Sequence, residues 1–288
     1  MTPTTPATPG RVGVLGGGRM GAGIAHAFLL AGAHVTVVER DDAAADAAGS
    51  RVLASVDASI SRGTAGDTAD AYRGRFATGT DAALFADCGL VVEAVPEDIA
   101  LKTEALARVE AHLSPAAALA SNTSSIAIGE LAAVLDRPSR FLGLHFFNPV
   151  PASALVEIVR GAATDDALVD DARGWVGALG KTPVVVADAP GFASSRLGVA
   201  LGLEAIRMLE DGVASAEDID AAMTLGYKHP VGPLRLTDLV GLDVRLGIAE
   251  YLAAQLGPRF EPPALLRRLV AEGALGRKSG RGFYEWDD

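Results

Sequence analysis

The chain has 288 residues, 49% of them hydrophobic, and a formal net charge of −11. That length allows two domains and a large core, yet no uninterrupted apolar stretch approaches the ~18–20 residues of a membrane span. The acidic balance disfavours nucleic acid, whose phosphates call for basic stripes that are absent here, while local arginines and lysines can still shape a pocket for a small anionic substrate.

Residues 1–10, MTPTTPATPG, lack a basic or apolar signal region and read as a loose tail. A strand over residues 12–15 runs into Gly16-Gly-Gly18-Arg-Met20-Gly21, and a helix over 21–31 follows, with Gly32 as its C-cap. The next strand, 35–38, ends in Glu39, eighteen residues beyond Gly21. Glycines for a tight turn and close pyrophosphate approach, a helix N-terminus and an acid for the ribose hydroxyls form a dinucleotide signature in its proper context. Gly16, Gly18, Met20, Gly21 and Glu39 are therefore expected at the cofactor. Glu39 favours NAD because it would repel a 2′-phosphate; Arg40 is the argument for NADP.

Residues 57–80 are the least regular part, since their glycines argue against one long helix. Cys88, the single cysteine, precedes the strand at 90–92, excludes an intramolecular disulfide and suits a reducing cytoplasm. A helix over 102–113 and a strand over 119–121 come next. The polar run Ser121-Asn-Thr-Ser-Ser125 should lie at the crevice edge, where its hydroxyls either receive ribose or substrate or cap a helix beginning near Ile128.

The strand 140–145 ends in His145, at the carboxyl edge where an open α/β sheet binds its ligands. Twelve residues on, Glu157 stands inside the apolar Leu155-Val-Glu-Ile-Val159. A carboxylate there is expensive to bury unless paired, and His145 is the most economical partner. Such a pair makes a proton acceptor with a fixed tautomer; the plainer reading is a satisfied core histidine. With a nucleotide fold and no metal-ligand cluster visible, the residues point to hydride transfer between an alcohol and a ketone.

A strand at 184–186 closes the alternating pattern, which changes at Asp188-Ala-Pro-Gly191. Beyond it come helical runs: 194–209, one capped at Ser215-Ala-Glu-Asp218, one after Pro230-Val-Gly-Pro233 and one after Pro262-Pro263. The expected architecture is thus α/β, a Rossmann-type dinucleotide-binding domain over 1–188 followed by an all-helical domain over 189–288. About a hundred residues of apolar helices call for a partner surface, which argues for a homodimer.

The chain resembles the short-chain L-3-hydroxyacyl-CoA dehydrogenases, the group that includes bacterial 3-hydroxybutyryl-CoA dehydrogenases. The resemblance runs from Arg11 to Trp286. It is carried by the glycine loop, Val91-Val-Glu-Ala94, Ser121-Asn-Thr-Ser-Ser125, His145-Phe-Phe-Asn-Pro149, Asp188-Ala-Pro-Gly-Phe192, Met223-Thr-Leu-Gly-Tyr-Lys-His-Pro-Val-Gly-Pro233 and Gly276-Arg-Lys-Ser-Gly-Arg-Gly-Phe-Tyr284. It implies NAD-dependent oxidation of a short 3-hydroxyacyl-CoA within fatty acid metabolism, in the cytoplasm, with neither nucleic acid nor membrane as partner and no metal. By resemblance His145 is the base, Glu157 its orienting partner and Ser124 a contact to the substrate oxygen. Glu97, Lys102, Asn122, Asn148 and Lys278 match positions near the nucleotide. One departure stands out: where the family has asparagine after Pro-Gly-Phe, this chain has Ser195, which reaches less far and lacks an amide donor. Basic contacts to CoA phosphate are thin, with Arg62, Arg73 and Arg75 as candidates. Two alternatives stay open: a free hydroxy-acid dehydrogenase of the L-gulonate 3-dehydrogenase and lambda-crystallin type, and a nucleotide-binding protein without turnover.

Overall fold

The computed structural model describes residues 8–287. Of the expected loose tail, residues 1–7 lie outside the described residues. The chain divides into two compact units, Met1–Ala189 and Pro190–Asp288.

In the first unit the strands are β1 (Arg11–Leu15), β2 (His34–Val38), β3 (Phe76–Gly79), β4 (Leu90–Glu93), β5 (Ala118–Ser121), β6 (Phe141–Phe146), β7 (Leu155–Arg160) and β8 (Thr182–Ala187). They form one sheet in the order β3-β2-β1-β4-β5-β6-β7-β8. Every neighbouring pair is parallel except β6 and β7. The helices are α1 (Arg19–Leu30), α2 (Asp42–Ser61), α3 (Ala69–Arg73), α4 (Ile99–Glu110), α5 (Ile128–Ala132) and α6 (Asp166–Ala178). Parallel strands covered on both faces need continuous apolar runs rather than alternation. β4, β5 and β6 accordingly are buried at every residue. Val12, Val14, Ile24, Phe28, Val35, Val52, Leu90 and Leu142 share one core.

Six of the eight strands coincide with those expected. β3 and β7 are the additions, and each has a physical reason for being missed. β3 is four half-exposed residues at the sheet edge, and β7 carries a glutamate inside its apolar run. The irregular segment 57–80 resolves into the end of α2, a glycine turn at Gly63 (φ +69°), α3 and β3.

The second unit holds α7 (Ser194–Glu210), α8 (Ala216–Ala221), α9 (Pro233–Val240), α10 (Leu242–Leu256) and α11 (Ala264–Ala271). Val199, Leu203, Ile206, Leu234, Leu242, Leu252 and Leu266 form its core. Ser215 caps α8 as its sequence predicts, accepting from the Asp218 amide at 3.1 Å. The helical run after Pro233 is two helices, not one, because Gly241 at φ +105° breaks it. Asp238 fastens the C-terminal tail by accepting from the Phe283 and Tyr284 amides and the Trp286 indole.

Candidate active site

The strand order reverses between β1 and β4, so the ligand crevice belongs at the carboxyl ends of those strands. The registers Leu15↔Glu93, Glu93↔Ser121 and Ser121↔Gly143 align the last residues of β1, β4 and β5 in one row, with His145 two residues further along β6.

The glycine loop has the shape that a dinucleotide needs. Gly16 takes φ +91°, and a side chain at Gly21 would meet the Gly16 carbonyl at 1.8 Å, so strand and helix touch backbone to backbone. Gly18 by contrast has nothing within 4 Å of where a Cβ would stand. It is the N-cap of α1, offers no side-chain cap, and the first turn carries no acid. The helix amides and dipole are thus left for an anionic group, and this cradle fits the pyrophosphate of NAD. Met20 is half-buried against the core. Glu39 Oε1 accepts from the Gly17 amide at 2.7 Å, which aims the carboxylate over the loop. The Arg40 guanidinium, 84% exposed, turns away to Asp41.

A second group of polar side chains occupies the ends of β4 and β5. Lys102, 1% exposed, donates to Glu93 Oε1 at 2.8 Å and to the Val95 carbonyl at 3.2 Å, and lies 3.4 Å from Glu97 Oε2. Glu93 is fully buried and also accepts from Ser121 Oγ at 2.5 Å. Glu97 Oε1 accepts from Thr123 Oγ1, from the amides of Ser124 and Ser125 and from both serine hydroxyls. Burial works to raise the Glu97 carboxyl, but Lys102 and these donors outweigh it and hold it below the ordinary glutamate range. The polar run is therefore organised by Glu97. The cap of α5 comes from elsewhere: Asp188 accepts from the Ile128 and Gly129 amides at 2.8 and 2.7 Å.

His145 and Glu157 are register partners across the antiparallel β6–β7 pair, 6% and 1% exposed, with Nδ1 and Oε2 2.8 Å apart. A carboxylate only accepts, so Nδ1 carries the proton and Nε2 of the neutral ring is the basic nitrogen. Asn122 Oδ1 accepts from the Phe146 amide at 2.9 Å and ties β5 to the residue after His145. Asn148 is exposed two residues further on. Lys181, which sequence reasoning did not single out, donates to the Val150 and Ser153 carbonyls at 2.6 and 2.5 Å and clamps that loop.

In the second unit Ser195 occupies the first turn of α7 and is half-buried. Lys278 is paired with Asp243 at 2.7 Å. The basic candidates for CoA phosphate are engaged: Arg73 with Asp57 and Asp70, Arg75 with Asp67, and Arg62 with Ser59 Oγ.

Both halves match family models, residues 11–189 the NAD-binding domain and residues 191–286 the C-terminal domain of 3-hydroxyacyl-CoA dehydrogenase. The chain belongs to the 3-hydroxyacyl-CoA dehydrogenase family. It is 45% identical over 280 residues to a 3-hydroxybutyryl-CoA dehydrogenase of Mycobacterium tuberculosis, covering 96% of this chain and 98% of that one. Among solved structures, M. tuberculosis FadB2 superposes with a TM-score of 0.92 at 44% identity, over 97% of this chain and 100% of the other. The Ralstonia eutropha (S)-3-hydroxybutyryl-CoA dehydrogenase follows with 0.91 at 38%, over 98% and 100%. The chain is thus an NAD-dependent oxidoreductase acting on L-3-hydroxyacyl-CoA. No helix among the described residues is long and apolar enough to cross a membrane.

Proposed function

We propose that this dehydrogenase oxidises short-chain L-3-hydroxyacyl-CoA, 3-hydroxybutyryl-CoA among them, with His145 as the base and Glu157 as the group that orients it. The observation that carries this reading is the buried 2.8 Å contact between His145 Nδ1 and Glu157 Oε2 at the carboxyl edge of the sheet. Bound NAD supplies the hydride acceptor. His145 Nε2 takes the proton of the C3 hydroxyl while C3 gives up its hydride, and the 3-oxo thioester results; in reverse the imidazolium returns that proton. Glu157 favours the imidazolium as it forms. Ser124 and Ser195 hold the substrate oxygen, and holding it fixes the direction of the C–H bond. Gly16, Gly18, Met20, Gly21, Glu39, Glu97, Lys102, Asn122, Asn148 and Lys278 serve the nucleotide.

The helical unit pairs with a second copy of the chain to form a homodimer. Support comes from the large apolar side chains it exposes, Leu225 at 82%, Tyr227 at 75% and Leu197 at 70%. The reducing cytoplasm is the compartment that suits its one free, buried cysteine. Oxidation of NADH with acetoacetyl-CoA, beside free 3-oxo acids, tests the reading. Turnover of the free acids alone would replace the thioester, and no turnover would remove the assigned base.

A further inference from the structure

The glycine loop is gripped from α2. Arg51 on that helix donates from Nη1 to the Gly17 carbonyl at 3.0 Å. The amide of the same glycine donates to Glu39 Oε1 at 2.7 Å. Both polar groups of this one buried residue are thus held by charged side chains. Nothing larger than glycine fits there: a Cβ at Gly17 would stand 2.2 Å from the Ala48 Cβ and 3.0 Å from Val37 Cγ1. Ala48 precedes Arg51 by three residues, the spacing that puts two positions on one helix face. The face of α2 that packs on the loop is therefore the face that carries the guanidinium.

Glu39 brings the loop a difficulty along with its ribose contact. Its carboxylate stands on Gly17, and the pyrophosphate that belongs at the start of α1 is an anion as well. The open amides and the dipole of α1 attract that anion, but they amount to about half an elementary charge. A full cation fastened to the same glycine offsets the carboxylate where the conflict arises. Arg51 is free to do so. An arginine carries five N–H donors, the Gly17 carbonyl engages one of them, and among the described residues the guanidinium makes no ion pair. Arg40 differs, since Asp41 holds its guanidinium at 3.0 Å. Arg51 is also exposed, so its charge stays hydrated and costs little desolvation.

We propose that Arg51 is a cofactor-binding residue: its guanidinium, docked on the Gly17 carbonyl, pairs with the pyrophosphate of NAD and offsets the Glu39 carboxylate. The assignment rests on the proposed reading that the glycine loop holds the pyrophosphate and Glu39 the adenosine ribose. The guanidinium fork gives one N–H to the carbonyl and others to phosphate oxygens. Arg51 then acts on affinity for the dinucleotide. Proton transfer is left to His145, which stands on β6.

Binding without turnover is the test. NADH is titrated onto the full chain by its fluorescence, and ADP and adenosine are measured by displacing it. The two displacers share base and ribose and differ in the phosphates, so their affinity ratio within each protein reports the phosphate contact alone. Arg51→Met should weaken NADH and ADP by about tenfold, the equivalent of one charge-assisted hydrogen bond, and leave adenosine within about twofold. Raising the salt should weaken NADH more steeply in wild type than in Arg51→Met. Arg51→Lys keeps the charge and should recover most of the loss. In turnover the loss should appear in KM for NADH, with kcat changed less than about twofold. Equal weakening of ADP and adenosine would make the guanidinium a prop for the loop, and unchanged NADH affinity would make it a bystander; either overturns the proposal. Gly18→Asp checks the reading beneath it. Space is open at that position and aspartate is a favoured N-cap, so this variant should fold, yet its carboxylate should repel the pyrophosphate and weaken NADH at least about tenfold. A Gly18→Asp protein that binds NADH as wild type does sinks that reading and the proposal with it. Loss of NADH in Gly18→Asp but not in Arg51→Met sinks the proposal alone.

Discussion

Glu97 Oε1 accepts from both the amide and the hydroxyl of Ser124, at 2.9 and 3.2 Å. Ser124 is thus held by a carboxylate that Lys102 positions from the other side. Glu97→Gln keeps the shape but exchanges a charged acceptor for a neutral one, and should lower kcat about tenfold, the equivalent of one charge-assisted hydrogen bond. A pH effect accompanies it. The native Glu97 carboxyl lies below its ordinary value of 4.5, so its contribution to stability is present above that value and is lost as pH falls through the native pKa. Wild-type melting temperature should therefore drop more steeply below pH 4.5 than that of Glu97→Gln; parallel curves would show that the loop does not depend on this charge.

His145→Gln should lower turnover by about 10²–10⁴-fold, the usual contribution of general base catalysis. NAD binding should persist, because the glycine loop follows β1 and Glu39 follows β2, whereas His145 stands on β6. Stopped-flow oxidation and an NAD titration measure the two separately. Turnover within threefold of wild type would remove His145 from the chemistry.

Glu157→Gln retains a hydrogen-bond acceptor for Nδ1 but removes the charge that favours imidazolium. Oxidation should lose most of its rate near neutral pH, with a smaller loss than in His145→Gln. A thermal melt guards the interpretation: a protein that unfolds early would mark Glu157 as structural. A loss equal to that of His145→Gln that vanishes at high pH would shift the role of base to Glu157.

The legible part of this molecule was the part governed by local rules. The glycine loop, the acid at Glu39 and the strand ending in His145 follow from backbone sterics and apolar runs, and Glu157 betrayed itself as a carboxylate in an apolar stretch. The same reasoning applied to Val91-Val-Glu-Ala94 points to Glu93, whose buried partner Lys102 is nine residues away. Asp188 and Lys181 were hidden for a different reason. Their partners, the α5 amides and the Val150 and Ser153 carbonyls, are backbone groups far along the chain that carry no side-chain signal.

The buried Glu93–Lys102 pair predicts asymmetric mutational costs. Lys102→Met leaves the fully buried Glu93 carboxylate uncompensated, a change worth about 3–5 kcal/mol and on the order of 10 °C in melting temperature. Replacing both residues, Glu93→Leu with Lys102→Met, should recover much of that loss, because neither charge then needs solvation. Activity should not recover, since Glu97 loses the ammonium that positions it. Calorimetry on the two variants decides: equal destabilisation would mean that Lys102 acts through packing and not through charge.

Cofactor choice should rest on Glu39 and not on Arg40. Glu39 is fixed by the Gly17 amide, and a 2′-phosphate brought to the same place would meet its carboxylate, a like-charge encounter that costs several kcal/mol. Wild type should accordingly favour NAD over NADP by about 10²-fold or more in kcat/KM. Arg40 offers little counterweight while Asp41 holds its guanidinium at 3.0 Å, and that exposed pair is itself weak, so releasing it changes little. Asp41→Asn keeps the cap on the Ala44 amide that Asp41 now provides and should alter the cofactor ratio by less than about threefold. Glu39→Ser removes the repulsion and should collapse the preference by an order of magnitude or more. Initial rates with both cofactors at matched concentration separate the two residues. An Asp41→Asn enzyme that prefers NADP would transfer control of the site from the carboxylate to the guanidinium.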